Sequence, residues 1–183
     1  MSAASGLKVF CWCWLSCPKS DRTLYRLVRK HKPHKIMLLG LGDAVRPQRM
    51  ISLAQRYHPA EQIHFAGIDP FDARPAAAPP LSLKAAHQFL RPTGSKIHLF
   101  PGSPHEALER AANTLHGIEL ALISTDQNAE SLARAWFSLN RLLTPQAFVL
   151  REEMCDDQPR LTPLSRAEID RLAATAAPRR RAA

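Results

Sequence analysis

The segment richest in chemistry runs Ile36-Met37-Leu38-Leu39-Gly40-Leu41-Gly42-Asp43-Ala44, an apolar run that stops at two glycines one residue apart. Glycine permits a sharp backbone turn and lets a ligand approach where a Cβ would collide, so this spacing suits a nucleotide-like cofactor at a strand tip. The same spacing also serves as a plain turn. A second apolar run, Ile63 to Ile68, ends at Asp69. A carboxylate there can accept hydrogen bonds from both hydroxyls of a ribose; the plainer reading is a turn-forming acid before Pro70. For proton transfer the chain offers His58, His64, His87, His98 and His105. His105, just beyond a strand, is the candidate catalytic base. Cys11, Cys13 and Cys17 are clustered in a way that suits zinc or an iron–sulfur centre. No second cysteine pair follows, and Trp12 and Trp14 interleave as packing residues, so buried free thiols are the reading and no metal is expected.

These residues need a scaffold that brings strand tips together. Apolar runs alternate with segments of helical period, the sequence form of a βαβ architecture. The expected strands are Lys35–Leu39, Ile63–Ile68, Lys96–Phe100, Leu120–Ile123 and Ala147–Leu150, each apolar on consecutive positions as in strands covered on both faces. Between them lie helical stripes such as Leu83, Ala86, His87, Leu90 and Leu132, Ala135, Trp136, Leu139. A helix with Leu24, Leu27 and Val28 precedes the first strand, with Ser20 or Asp21 as its cap. Val9–Leu15 reads as core or a buried lead-in strand. Ala73–Pro80 is a proline-rich loop, and residues from Asp156 to Pro163 read as an acidic, proline-punctuated connection to a last helix capped by Ser165 and Glu168.

At 183 residues, with 45% hydrophobic and 22% charged residues, the chain fits one domain spanning 1–183. The core is expected over about 21–153, with 154–183 as an extension carrying one helix and a basic tail. Nothing approaches the roughly 20 apolar residues of a membrane span, so no membrane partner is expected and the address is read as cytoplasmic. The net charge of +9 admits nucleic acid as a partner, but the basic stretches carry no recognition motif and a charged helix face plus a solvated tail accounts for them. Oligomeric state is not readable.

In order along the chain, these landmarks resemble the class I S-adenosylmethionine-dependent methyltransferases from about Leu24 to Glu153. The resemblance rests on Gly40-Leu41-Gly42-Asp43-Ala44 after the first strand and Asp69 after the second. It continues through Gly102-Ser103-Pro104-His105-Glu106-Ala107-Leu108 after the third, Ile123-Ser124-Thr125-Asp126-Gln127 after the fourth, and Leu142-Leu143-Thr144-Pro145-Gln146-Ala147 before the fifth. It implies a three-layer α/β sandwich with a mainly parallel, Rossmann-like sheet. With little sequence left after the fifth strand, the family's C-terminal antiparallel hairpin is expected to be reduced or absent. It implies S-adenosylmethionine as cofactor, bound by Gly40, Leu41, Gly42, Asp69, Gly102, Ser103, Ser124 and Asp126, and methyl transfer to an unidentified acceptor. The strand tips are then expected to converge on a crevice lined by Gly40, Gly42, Asp69 and Ser103. Departures from the family pattern are Leu38, Ala44, Ser103, Ser124 and Gln127 where acids, a glycine and a histidine are usual. They keep open a catalytically inactive, methyltransferase-like binding or scaffolding module. A nicotinamide-dependent oxidoreductase would need a glycine near position 45, where Val45 stands, and a shorter gap to its acid.

Overall fold

A computed structural model describes residues 4–177. Two helices, α1 (Gly6–Leu15) and α2 (Lys19–His31), lead into β1 (Lys35–Leu39). The chain continues through α3 (Val45–Ala54), β2 (His64–Asp69), α4 (Leu83–Leu90), β3 (Lys96–Pro101), α5 (Pro104–Ala111), β4 (Ile118–Ile123) and α6 (Ala129–Leu142). It closes with β5 (Leu143–Cys155), β6 (Gln158–Leu164) and α7 (Arg166–Ala176). One six-stranded sheet results, in the order β3-β2-β1-β4-β5-β6. The first five strands are parallel and β6 returns antiparallel to β5.

Continuous apolar strands need cover on both faces, and alternate residues go to opposite sides. Ile36 and Leu38 enter a core with Leu24, Val28, Met50 and Leu90, from α2, α3 and α4. Met37 and Leu39 enter the other core with Leu108, Trp136, Leu139 and Ile169, from α5, α6 and α7. Leu38 is paired with Gly67 on one side and Leu122 on the other, so it is a fully buried central residue and not part of any ligand surface.

Four expectations are corrected. The antiparallel hairpin is present: β5 runs on to Cys155, turns at Asp156-Asp157, both at positive φ, and pairs with β6 from Cys155↔Gln158 to Val149↔Leu164. Pro159 and Pro163 are tolerated because β6 pairs with one neighbour only, and a proline that cannot donate does no harm on an edge strand. Val9–Leu15 is helical rather than a strand; Val9 and Cys13 are its buried residues, while Leu7, Phe10, Trp14 and Leu15 face out. Of the clustered thiols only Cys13 is buried, Cys11 is half-buried and Cys17 exposed. The second helix begins at Lys19, with Pro18 at the cap position and no side-chain cap, so Ser20 and Asp21 lie inside its first turn. Ser165 does cap α7, accepting from the Glu168 amide at 3.2 Å. The basic tail at Arg179–Arg181 lies outside the described residues. No helix among the described residues is long and apolar enough to cross a membrane.

Candidate functional site

The order of the sheet reverses between β1 and β4. Connections leave these two neighbours in opposite directions, which opens a crevice beyond their carboxyl ends, the place where open α/β sheets bind ligands. A cleft of about 540 Å3 lies there, within the ~300–1,000 Å3 range of small-molecule sites. Its wall combines the turn after β1 (Gly40, Leu41, Gly42, Asp43), the turn after β4 (Ser124, Thr125, Asp126) and charged residues of α2, α3 and β5.

The two glycines differ in what they make room for. At Gly40, φ +87°, an added Cβ would lie 2.5 Å from Asp126 Oδ1, 2.7 Å from Gln127 Nε2 and 2.9 Å from the Ser124 Cβ. The close approach there is made by the protein's own β4 turn, which is also tied down by Ser124 Oγ donating to the Gly40 carbonyl at 3.1 Å. At Gly42, φ +59°, nothing lies within 4 Å, so this is the glycine that faces open space. Leu41 points its side chain inward against Gly67 and offers only its backbone to the site. Ala44 adopts φ +66°, a left-handed conformation that L-residues other than glycine enter at a cost of about 1 kcal/mol. This explains in backbone terms why a third glycine would suit this turn.

Asp69 sits at the tip of β2 as expected, but its carboxylate is 1% exposed and fully engaged. It accepts from the amides of Leu41 at 2.9 Å and Phe71 at 2.8 Å, and from Arg74 Nε at 2.7 Å and Nη2 at 2.6 Å. Arg74 belongs to the proline-rich loop, which is folded back by a third bond from Nη1 to the Pro79 carbonyl at 2.7 Å. Hydrogen bonding to Asp69 raises the Arg74 guanidinium above its ordinary value, as expected for a charge-assisted bidentate pair. Arg74 therefore occupies both oxygens of the Asp69 carboxylate.

Gly102 and Ser103 follow β3, one strand further out, and are not in the cleft wall. The Gly102 amide donates to the Asp69 carbonyl at 3.1 Å, and Ser103, at the N-cap position of α5 but without a side-chain cap bond, donates its hydroxyl to Glu106 Oε2 at 3.0 Å. His105 is also outside: it borders a separate depression with Arg134 and Phe137 of α6, with its ring Nε2 3.6 Å from Glu109 Oε1.

The sequence reading missed the charged wall opposite the glycine turn. Arg46 of α3 donates to Asp21 Oδ1 at 2.8 Å and to both oxygens of Glu152 at 3.0 Å, and Ser20 donates to Glu152 Oε1 at 3.0 Å. Burial pushes the Asp21 carboxyl up against the pull of Arg46. Burial works to lower the Arg46 guanidinium, but its bonds to Glu152 and the nearby carboxylates raise it on balance. An acid at the end of an otherwise apolar strand, Glu152, was the one available signal. Among the described residues no group of three or more His, Cys, Asp or Glu is arranged to hold a metal ion.

No protein-family model matches the chain, and no curated protein is similar to it in sequence. Solved structures are similar in fold. An O-methyltransferase of Bacillus cereus in complex with SAH overlays with a TM-score of 0.56 over 76% of this chain and 58% of its own, at 11% identity. TomG of Streptomyces achromogenes, an O-methyltransferase in complex with SAM, gives 0.54 over 87% and 66%, at 16% identity. The SAH-bound methyltransferase PaMTH1 of Podospora anserina gives 0.54 over 93% and 73%, at 13% identity. The fold is that of the class I S-adenosylmethionine-dependent methyltransferases. The chain spans 58% of the length of the Bacillus cereus structure and 66% of TomG. Within this methyltransferase fold, the observed hairpin of β5 and β6 completes the sheet at its far edge.

Proposed function

We propose that the protein binds S-adenosylmethionine in the cleft at the sheet reversal and transfers its methyl group to an acceptor that enters from the side of Asp43 and Arg49. The observation that carries this reading is the open space at Gly42 within a cleft made by the β1 and β4 turns. Gly40, Leu41, Gly42, Ser124 and Asp126 hold the donor. Asp69, outside the cleft wall while Arg74 covers it, receives the ribose once Arg74 withdraws, and the adenine then extends toward Gly102 and Ser103 beyond the present cleft. The donor supplies a methyl group already activated on a sulfonium, so the protein's work is alignment and exclusion of water. At the mouth Asp43 and Asp126 outnumber Arg49, which suits a cationic ligand. The structurally similar O-methyltransferases favour an oxygen acceptor. The cleft wall has no histidine, so proton removal from a hydroxyl falls to Asp43 or Asp126 rather than to His105. The four free cysteines, two of them exposed, fit a reducing, cytoplasmic address.

Calorimetric titration with S-adenosylhomocysteine tests the reading. One site is expected in the wild type, and Gly42→Leu, which fills the open position and strains the turn by about 1 kcal/mol, should abolish binding while leaving the circular dichroism spectrum unchanged. Binding that survives Gly42→Leu would move the site elsewhere. A second reading, a methyltransferase-like module that binds without turnover, is favoured by the engagement of Asp69 by Arg74. Methyl transfer to any acceptor would exclude it.

A further inference from the structure

Helix α1 turns an apolar surface to the outside. At 3.6 residues per turn, Phe10, Trp14, Leu7, Cys11 and Leu15 fall within an arc of about 140°, with no polar residue among them. Leu7 is 75% exposed, Leu15 64%, Phe10 54% and Trp14 47%. The opposite side, Val9 and Cys13, is buried in the core. The outward pose is held from below, because Arg22 donates to the Ser16 carbonyl at 2.7 Å and Arg26 to the Cys13 carbonyl at 3.0 Å. Arg56 also reaches the Ala4 carbonyl at 2.6 Å. The face is therefore a fixed feature of the fold.

Its flanks are basic. Lys8 borders the arc, and α2 beside it carries Lys19, Arg22, Arg26, Arg29 and Lys30. The guanidinium of Arg26 lies 4.5 Å from the centre of the Trp14 ring. The single acid of the two helices, Asp21, is buried and bonded to Arg46, so it offsets none of this charge at the surface. Apolar and aromatic residues on one helix face, with lysine and arginine around them, are what an interfacial helix needs to lie among anionic headgroups.

We propose that α1 is a peripheral membrane anchor, which seats Leu7, Phe10, Trp14 and Leu15 at the acyl boundary of an anionic lipid surface while α2 meets the headgroups. A second copy fits this face less well: two copies would bring their basic flanks together. A helix face about 15 Å long and about 10 Å wide also falls far below the ~800 Å2 per partner of a stable dimer. The expectation of no membrane partner rested on the lack of a spanning segment; a helix lying in the interface needs none.

Co-sedimentation of the full chain with two vesicle preparations decides it, one of phosphatidylcholine alone and one of equal parts phosphatidylcholine and phosphatidylserine. Binding to the second and not the first is expected, weakening as salt is raised. Phe10→Asp, at an exposed position, should lose about tenfold or more in partition coefficient at unchanged melting temperature. Lys19→Glu with Arg29→Glu should weaken it as well. Equal binding to both vesicles, no binding to either, or full binding by Phe10→Asp would overturn the proposal. So would sedimentation showing that the face joins two copies, with dimer lost in Phe10→Asp.

Discussion

Arg74→Ala removes the guanidinium that covers Asp69 and separates two consequences of the pair. Both side chains are buried, Arg74 7% and Asp69 1% exposed. Removing one partner of a buried ion pair typically costs about 3–5 kcal/mol. Asp69 would keep the Leu41 and Phe71 amides, which places the loss at the lower end, about 3 kcal/mol. For a chain of this size about 2–4 °C accompanies each kcal/mol, so the melting temperature should fall by about 6–12 °C. Ligand binding should move the other way. If the pair must open before a ribose can reach Asp69, the wild type binds with an affinity reduced by its small open fraction. Removing a closing energy of about 3 kcal/mol would tighten S-adenosylhomocysteine by up to about 100-fold. Calorimetric titration well below the variant's melting temperature, with scanning fluorimetry for stability, reads both. A variant that melts lower but binds with unchanged or weaker affinity would refute the idea that Arg74 competes with the ligand.

Three further outcomes are expected from the structure. Arg46→Met leaves Asp21 and Glu152 buried beside each other without their shared cation, and should lower stability by about 3–5 kcal/mol in urea unfolding; a loss below about 1 kcal/mol, the size of an exposed pair, would mean that water reaches the site. Ala44→Gly relieves a left-handed alanine and should raise the melting temperature by about 2–4 °C; an unchanged or lower value would show that the strain is smaller than the entropy that glycine adds to the unfolded chain. Burial pushes the Cys13 thiol above its ordinary 9.0. The folded protein then holds that proton more tightly than the unfolded chain, so the contribution is present below pH 9.0 and lost as pH rises through the folded value. Thiol titration at neutral pH should accordingly label Cys17 and Cys155 at once, and Cys13 only on unfolding.

Much of the scaffold was legible because parallel strands announce themselves. Ile36–Leu39 and Leu120–Ile123 are apolar on successive residues, and both neighbours and both faces demand it. The glycine turn and Asp69 were legible as strand tips for the same reason. The hairpin was not, since Pro159, Pro163 and two aspartates look like a loop unless the strand is known to lie at an edge. Helix α1 was misread because residues 9–15 are apolar throughout; its helical phase appears only when Leu7 and Lys8 are set against the buried Val9 and Cys13. Arg74 lies in a proline-rich segment without periodicity, so no local pattern ties it to an acid five residues earlier. Its role is tertiary, as is the joining of Asp21, Arg46 and Glu152 across 131 positions of chain, from 21 to 152.

On the proposed reading, the crevice between the β1 and β4 turns is a binding site for the adenosyl donor. A crystal structure of the protein grown with S-adenosylhomocysteine tests it most directly. Density for the ligand against Gly42 and the Ser124–Asp126 turn, with its ribose on Asp69 and Arg74 displaced, is the predicted result. A saturated crystal with that cleft empty and Arg74 still closed on Asp69 would contradict it.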